Sequence, residues 1–358
     1  MIHIEAERLT NLVQAIFMAA GATEANAIRV AKSLVAANLT GHDSHGVIRT
    51  VQYVAAIEEG RIDPQATAVV AEEMGAISKV DARGGFGQVG AEFAMQVSIA
   101  KAQTHGVAAT TLHNSDHVGR VGEWVAMAAE QNLIGLAFCN GAGPGGLVTP
   151  YGGMERKLGT NPFAAAVPLN GDRSANSCSP NRSSPFILDF ATSVLAEGKV
   201  RVARNAGKPL AEGVILDKEG HPSTNPHDLY AGGMLLPAGL YKGFGLSLLI
   251  ELLGGVLTGM GNPALPEYDR FYNGVLFIVL AIEPFRPLAD FLLDAGRLAA
   301  AISATQPAPG SSGVLLPGEP EEQTAVIRRR DGIPLDETTW GELTAVGQRL
   351  GIDMQNEL

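Results

Sequence analysis

A run of apolar residues between Leu235 and Met260 constrains the fold of this 358-residue chain strongly, because it must be buried either in protein or in a membrane. The run reads LLPAGLYKGFGLSLLIELLGGVLTGM. A membrane helix needs about twenty uninterrupted apolar residues, whereas Pro237, Lys242 and Glu251 interrupt this one. The sequence therefore predicts a soluble protein in which a buried helix starts near Lys242.

The composition is that of a well-packed globular protein, with 46% hydrophobic and 18% charged residues. The length favours two domains or three small lobes. The net charge of −11 argues against nucleic acid or an anionic membrane as the main partner, although a cleft can still hold a small anionic substrate. Two cysteines, Cys139 and Cys178, indicate a reducing compartment, and the acidic, helical N-terminus is not that of a signal peptide.

Hydrophobic periodicity predicts a helical region from Glu5 to about Gly60, followed by a mixture of strands and helices. Helices are expected at Asn26–Asn38, Val47–Ile57, Ala91–His105, Gly122–Gln131 and Glu337–Leu350. Strands are expected at Ala76–Val80, Val107–Leu112, Ile134–Cys139, Phe163–Val167, Phe186–Phe190 and Leu276–Ala281. Loops are expected at Asn170–Pro185, Arg204–Gly233 and Ala308–Pro320.

The segment Gly41–Thr50, GHDSHGVIRT, lies between two of the predicted helices. If the second helix begins early enough, His45, Arg49 and Tyr53 lie one turn apart on one face. An imidazole, a guanidinium and a phenol on one helix edge suit an acidic substrate that gains or loses a proton. A capped helix with solvated polar residues is an equally compatible interpretation.

The segment Gly85–Gly90 matches the GxGxxG pattern of dinucleotide-binding folds. In a chain with 43 glycines the match is weak. Lys79, Asp81 and Arg83 also make the preceding strand more polar than a central parallel strand. A Rossmann dehydrogenase remains an alternative, which predicts that substitutions of Gly87 abolish cofactor binding.

Further polar residues lie at predicted strand ends, where sites on α/β scaffolds tend to form. His117 follows one strand, Thr160 and Asn161 precede another, and Asp189 lies within an apolar strand. A buried carboxylate is costly unless it is paired, so Asp189 is a candidate to orient a histidine or to accept backbone N–H groups. Lys242 at a helix start indicates an anionic partner, either a ligand or Glu251.

The ordered set of motifs resembles the malate/L-lactate dehydrogenase family over nearly the whole chain. The motifs are GHDSHGVIRT, SDHVG, TPYGG…LGTNPFAAAVP, ILDFATS…GKV, KGFGLSLLIELLGGVLTG and LLPGEP. This non-Rossmann family also contains ureidoglycolate dehydrogenase, diketogulonate reductase and piperideine-2-carboxylate reductase.

The resemblance implies an α+β fold that is not Rossmann. A mostly antiparallel sheet flanked by helices, residues 76–304, would bind the nicotinamide cofactor. Residues 1–75, completed by residues 305–358, would form a helical lobe. A cytoplasmic homodimer is implied, with the site near the domain and subunit boundaries.

The family pattern also assigns roles to residues of this chain. The implied cofactor is NAD or NADP, with NADP preferred, and no metal is predicted. The implied cofactor-binding residues are His117, Asn140, Thr160, Asn161, Asp189, Ala191, Ser193, Lys242, Gly318 and Glu319. The substrate-binding candidates are Arg49, Tyr53 and Thr160.

The implied reaction transfers a hydride between NAD(P)H and C2 of a 2-oxo or 2-hydroxy acid, or of a cyclic 2-imino acid. A histidine suits the accompanying proton transfer near neutral pH. His45 is the first candidate, with Asp189 or Ser44 fixing its tautomer, and His117 is the second. Arg49 would bind the substrate carboxylate as a bidentate fork. A family member that has lost catalysis is the alternative from another class.

Overall fold

The computed structural model describes residues 2–141, 143, 145–169, 184–205, 207–265 and 273–352. Most of the predicted loop Asn170–Pro185, together with Cys178, lies outside the described residues. The helices are α1 (Ala6–Ala19), α2 (Glu24–Leu39), α3 (Arg49–Glu58), α4 (Gly87–His105), α5 (Val121–Ala129), α6 (Glu197–Asn205), α7 (Pro226–Tyr230), α8 (Tyr241–Ile250), α9 (Leu288–Ser303), α10 (Glu319–Asp331) and α11 (Glu337–Arg349). The strands are β1 (Ile2–Ile4), β2 (Val69–Met74), β3 (Ile77–Asp81), β4 (Val107–Ser115), β5 (Leu133–Cys139), β6 (Pro162–Val167), β7 (Phe186–Ala191), β8 (Ile215–Leu216), β9 (Pro222–Ser223), β10 (Met234–Leu235), β11 (Asn273–Ala281) and β12 (Ile333–Leu335).

Within the described residues, seven strands form the main sheet in the order β2-β3-β4-β11-β5-β6-β7. Only the pair β3–β4 is parallel, and the other neighbours in the order are antiparallel. The sheet is therefore mixed, with an antiparallel majority. In β5 buried residues alternate with partly exposed ones, which is why its sequence reads clearly as a strand. Helices α4 and α5 pack on the sheet and bury Trp124 and Phe277.

The N-terminal helices share a second hydrophobic core with the C-terminal segment. This core includes Leu9, Phe17, Leu34, Val54 and Leu343. The short strands β1 and β12 pair antiparallel and join the two ends of the chain. The lobe boundaries at residues 75 and 305 remain predictions.

Arg29 on α2 ties this lobe to the helices that cover the main sheet. Its guanidinium forms an ion pair with Glu92 on α4 at 2.9 Å and another with Glu123 on α5. The same guanidinium lies 5.2 Å from the ring centroid of Trp124. Because these contacts join three helices, they fix the lobe in relation to the sheet.

A third, smaller core lies beneath the segment predicted as mostly loop. Val148, Val200, Ile215 and Leu229 are among its buried residues. The segment Arg204–Gly233 contains the short elements β8, β9 and α7, so the prediction of a loop holds only in part. The strand β2 and the helices α9 and α10 were not predicted. The strand β2 is exposed along its length and α10 is highly charged, which weakens the hydrophobic period. The helix α9 carries apolar residues at helical spacing that the prediction overlooked.

The apolar run that begins at Leu235 forms α8 and a π-helical segment, Glu251–Val256. Buried Gly243, Ser247 and Ile250 face inward. Leucines on the other side are about half exposed, from 41% for Leu248 to 59% for Leu257. The prediction of a buried helix is therefore wrong for one of its faces. Among the helices of the described residues, none combines the length and apolar character needed to cross a membrane.

Candidate active site

A cavity of about 380 Å³ lies where the helical lobe, the main sheet and the third core meet. This volume falls within the range of small-molecule sites. The walls combine side chains from all three regions, including Ser44, His45, Arg49, Gln52, His117, Gly119, Cys139, Gly141, Arg156, Thr160, Glu197, Gly198 and Tyr230. The fold thus brings together Ser44, His45, Arg49, His117 and Thr160 as the sequence predicts.

His45 lies in a 3₁₀ turn, Asp43–His45, and not on the following helix, which begins only at Arg49. Asn38 at the end of α2 holds this turn. Its Nδ2 donates to Asp43 Oδ1 at 2.6 Å, and its Oδ1 accepts from Val47 N at 2.8 Å. The buried Nδ1 of His45 has no hydrogen-bond partner within the described part of the chain.

The imidazole rings of His45 and His117 stack in nearly parallel planes, with centroids 5.2 Å apart and an interplanar angle of 10°. Burial, then the nearby charge of Arg49, lowers the pKa of His45 to about 3. Burial, Arg49 and His45 likewise lower the pKa of His117 well below its ordinary value. Both rings are therefore neutral near pH 7 without a ligand, and their proximity disfavours protonating both at once.

Tyr53 does not face the cavity, although the sequence predicts it as a substrate-binding residue. Its side chain is 1% exposed, and its hydroxyl lies 2.6 Å from His117 Nδ1. One helical turn separates Tyr53 from Arg49, but α3 is packed so that this turn points into the core of the lobe. Tyr53 therefore does not line the cavity in this structure, because its hydroxyl is occupied behind His117, and its assignment as a substrate ligand stays a prediction.

Arg49 presents a buried cation to the cavity. Its Nε donates to the Ser44 carbonyl oxygen at 2.7 Å, and its Nη1 donates to Gln52 Oε1 at 2.7 Å. These bonds hold the guanidinium without neutralising it, and no carboxylate forms an ion pair with it among the described residues. Burial lowers the pKa of Arg49. Glu197, which also lines the cavity, attracts Arg49 at longer range but is itself paired with Arg201. A buried cation with no direct ion pair among the described residues favours an anionic ligand.

Asp189 is not bonded to a histidine. Its Oδ2 accepts a hydrogen bond of 2.7 Å from Gly122 N at the start of α5, and the guanidinium of Arg120 is close by. Burial raises the pKa of Asp189, while Arg120 and the Gly122 N–H oppose this shift. In the described structure neither Asp189 nor Ser44 hydrogen-bonds to His45 Nδ1, so the predicted fixing of its tautomer is absent.

Asn140 and Asn161 form the frame behind the cavity wall. Asn161, at φ +37°, accepts from Gly141 N at 3.0 Å and donates to Glu251 Oε2 at 2.7 Å. Asn140 Oδ1 accepts from Gly274 N at 2.7 Å. Both amides are buried and hydrogen-bonded to protein, so they shape the loops beside the cavity.

Of the other predicted cofactor contacts, only Thr160 lines the cavity. Ala191 ends β7, and the Ser193 hydroxyl donates to Leu195 O at 2.8 Å. Gly318 precedes α10 and packs against Ile187 of β7, while Glu319 Oε2 accepts from Leu316 N at 2.8 Å. These residues follow the edge of the sheet and the start of the C-terminal segment.

Lys242 is exposed at the start of α8 and forms no ion pair with Glu251 in the described structure. Glu251 is instead bonded to Asn161, and burial raises its pKa. Its Oε1 has no partner among the described residues. The predicted alternative in which Glu251 neutralises Lys242 is therefore wrong.

Sequence reasoning missed Arg156, which adds a second guanidinium to the cavity. Its Nε donates to Gly233 O at 2.7 Å, and its Nη2 also contacts the carbonyl oxygens of Leu229 and Gly233. These partners are neutral, so the charge is held in place and remains available to an anion. No sequence motif indicated Arg156, because its hydrogen-bond partners lie in loops that are distant in sequence.

The GxGxxG segment packs against the loop that carries His117. A Cβ at Gly87 would overlap the carbonyl oxygens of Asp116 and His117. The N-terminus of α4, where a dinucleotide fold would hold a pyrophosphate, is thus covered by backbone. Gln88, from the same segment, donates to the Tyr53 hydroxyl at 2.9 Å.

The sequence and the fold both match known oxidoreductases. The model of the malate/L-lactate dehydrogenase family matches residues 4–344. Hydroxycarboxylate dehydrogenase B of Escherichia coli K12 is 35% identical over 355 residues, which cover 97% of this chain and 94% of that protein. Delta(1)-pyrroline-2-carboxylate/delta(1)-piperideine-2-carboxylate reductase of Pseudomonas putida is 37% identical over 259 residues, 72% of each chain.

Among solved structures, sulfolactate dehydrogenase from Methanocaldococcus jannaschii superposes with a TM-score of 0.87 at 32% identity, covering 99% of both chains. The chain is an oxidoreductase of the 2-hydroxyacid dehydrogenase and reductase class. It belongs to the malate/L-lactate dehydrogenase family.

Proposed function

We propose that this protein transfers a hydride between NAD(P)H and C2 of a small 2-oxo or 2-hydroxy acid. The observation that carries the proposal is the cavity in which a buried, unneutralised Arg49 lies beside two neutral, stacked imidazoles. In this arrangement Arg49 can bind the substrate carboxylate, and an imidazole can exchange a proton with the oxygen on the neighbouring carbon, C2.

Arg49 is proposed to bind the substrate carboxylate. Its Nε and Nη1 are tethered to Ser44 O and Gln52, which orients the plane of the guanidinium. A fork held in this way matches a carboxylate bidentately, as a lysine cannot. Arg156, on another wall of the cavity, suits a second acidic group of the substrate.

His45 is proposed as the proton carrier. Its pKa of about 3 reflects burial and the positive charge of Arg49. A carboxylate bound to Arg49 cancels that charge, so the pKa of His45 rises when substrate enters. His45 is thereby proposed to take up the proton that the reaction uses.

The residues on the sheet side of the cavity fit a nicotinamide. Gly141 and Gly119 leave space for a flat ring, and the Thr160 hydroxyl offers a hydrogen-bonding group. The bound cofactor supplies the hydride, NADP being the preferred form over NAD. Lys242, exposed without an ion pair in the described structure, is proposed to meet the cofactor phosphates.

The proposed assembly is a cytoplasmic homodimer. Exposed apolar side chains along α8 and the π-helical segment support it, namely Leu248, Leu249, Leu252, Val256 and Leu257. Their spacing places them on one side of the helix, and a face of this kind is normally covered.

A cyclic 2-imino acid is the second candidate substrate, because the Pseudomonas putida relative named for such substrates is 37% identical. Loss of nicotinamide absorbance would be followed with NADH and with NADPH against 2-oxo acids and piperideine-2-carboxylate. Turnover of one member supports the proposal and identifies the substrate class. Absence of both turnover and cofactor binding contradicts it and favours a non-catalytic family member.

A further inference from the structure

A buried chain of hydrogen-bonding groups lies behind His117, on the side away from the cavity. Gln88 Nε2 is 2.9 Å from the Tyr53 hydroxyl oxygen, which is 2.6 Å from His117 Nδ1. Gln88 is fully buried and Tyr53 is 1% exposed. Neither residue lines the cavity, so neither can touch a substrate there.

The direction of these hydrogen bonds follows from the groups involved. The Gln88 amide nitrogen can only donate, so the Tyr53 oxygen accepts from it. Gln88 Oε1 forms no hydrogen bond in the described structure, so it does not draw the Tyr53 hydrogen toward itself. Burial raises the pKa of Tyr53, which keeps the phenol protonated. Its hydrogen therefore points to His117 Nδ1, which accepts.

We propose that Gln88 and Tyr53 are positioning residues that hold neutral His117 as the Nε2–H tautomer, so that His117 donates a hydrogen bond to the substrate's C2 oxygen while His45 carries the proton. This inference rests on the proposed function. It divides the work between the two imidazoles and gives the GFGQVG segment a role other than binding a nucleotide.

The division of roles between His45 and His117 follows from charge as well as from hydrogen bonding. A neutral His117 that gave away its Nε2 hydrogen would become a buried anion, which desolvation strongly disfavours. In the reduction, the hydride adds to C2, the carbonyl π electrons move to the oxygen, and the proton on that oxygen comes from the His45 imidazolium. His117 stabilises the charge that develops on the oxygen and keeps its own hydrogen.

Glycines around these hydrogen-bonded groups allow the backbone segments that carry them to pack closely. Any side chain at Gly87 would overlap the carbonyl oxygens of Asp116 and His117. Gly119, at φ +78°, would place a Cβ 3.3 Å from Gln88 Nε2. These glycines let the loop that carries His117 lie directly on the start of α4, where Gln88 can reach Tyr53.

The first test reads the tautomer directly. The wild-type protein would be labelled with ¹⁵N-histidine, and a long-range ¹H–¹⁵N spectrum would distinguish protonated from unprotonated ring nitrogens. His117→Gln assigns the signal by removing it. We expect hydrogen on Nε2 and none on Nδ1 at pH 7.5. Hydrogen on Nδ1 overturns the inference and leaves the proposed hydride transfer intact.

The second test reverses the direction of the hydrogen bonds that join Gln88, Tyr53 and His117. In Gln88→Glu a carboxylate draws the Tyr53 hydrogen, so His117 Nδ1 must donate to Tyr53 and Nε2 loses its hydrogen. We expect the tautomer signal to invert and kcat to fall by about 100-fold, as when an oxyanion donor is lost, with cofactor Kd unchanged. Gln103→Glu, at an exposed glutamine of the same helix, should change neither. An unaltered tautomer in a folded Gln88→Glu protein overturns the inference. Absence of turnover in the wild type would contradict the proposed function alone.

Discussion

Asn161 donates a hydrogen bond of 2.7 Å from Nδ2 to Oε2 of Glu251, and neither side chain has any exposed surface. The other end of the Asn161 side chain accepts from Gly141 N. One amide thus connects the π-helical segment to two loops, of which Gly141 and Thr160 form part of the cavity wall. The shape of that wall therefore depends on Asn161 and Glu251, two residues that do not line the cavity.

Asn161→Asp should destabilise the protein by about 3 kcal/mol at neutral pH, because it places a second carboxyl against buried Glu251. Burial and the like charge raise the pKa of the pair above its unfolded value. The folded variant then holds a proton that the unfolded chain releases, so its stability falls as pH rises. Urea denaturation at pH 5.5 and pH 8 measures the difference. Asn132→Asp, at an exposed asparagine with φ +59°, is the control and should show little change. Equal stability of both variants contradicts the prediction.

Arg49→Lys should raise the substrate KM by at least about tenfold, roughly 1.4 kcal/mol. Lysine keeps the charge but loses the fork that Ser44 O and Gln52 orient. Steady-state kinetics and cofactor titration by fluorescence separate substrate binding from cofactor binding. Arg349→Lys, at an exposed arginine paired with Glu58, should leave both constants unchanged. An unchanged substrate KM in Arg49→Lys would remove the basis for the carboxylate fork.

Binding of a 2-oxo acid should be accompanied by uptake of protons. In the free protein His45, with a pKa of about 3, is neutral near pH 7. A carboxylate at Arg49 raises that pKa, so affinity should increase as pH falls from 8 to 6. Calorimetry of the cofactor-bound protein in two buffers of different ionisation enthalpy counts the protons. His45→Gln should bind without uptake, and uptake that persists in this variant would assign the proton elsewhere.

Lys242→Met should weaken binding of NADPH while leaving the thermal stability nearly unchanged. The lysine is exposed at the start of α8, and its loss breaks no ion pair within the described structure. Titration of the cofactor by fluorescence provides the measurement. Lys218→Met, at another exposed lysine, serves as the control. If both variants bind NADPH as the wild type does, Lys242 is not a cofactor contact.

Leu252→Lys should convert a dimer into a monomer, because it places a charge in the middle of the apolar face of α8 and the segment that follows. Leu252 is 50% exposed. Sedimentation velocity at micromolar concentration distinguishes the two states. Met74→Lys, at a 72% exposed position on β2, should remain dimeric. A monomeric wild type would contradict the proposed homodimer directly.

The strands could be predicted from sequence where burial alternates. Val107–Leu112 and Ile134–Cys139 were located to within a few residues of β4 and β5. The helix α9 was overlooked, although Phe291, Ala295, Leu298 and Ile302 recur at helical spacing. The strand β2 could not be predicted in this way, because it is exposed along its whole length and has no buried face.

Site residues could be predicted where they lie in one short segment of the sequence, and could not be predicted where packing brings distant segments together. Ser44, His45 and Arg49 lie in one segment, and a motif placed His117 near a strand end. Tyr53 was expected to face the cavity and does not, because helical spacing relates it to Arg49 but not to the core behind α3. Gln88 was hidden within a pattern of glycines, and its contact with Tyr53 spans 35 positions of sequence.

The π-helical segment Glu251–Val256 has a consequence for how this chain tolerates changes in length. A π turn amounts to one residue inserted into an α-helix, and each residue of a helix turns its direction by about 100°. Because the wider turn absorbs that residue, deleting one residue there should restore regular α winding while the residues on either side keep their faces. If the same number of residues wound as a regular α-helix, everything downstream would instead turn by about 100° relative to α8, and Leu257 would leave the line of the other leucines. The π winding is therefore what allows one short segment to hold an acid inside the protein and an apolar edge outside it.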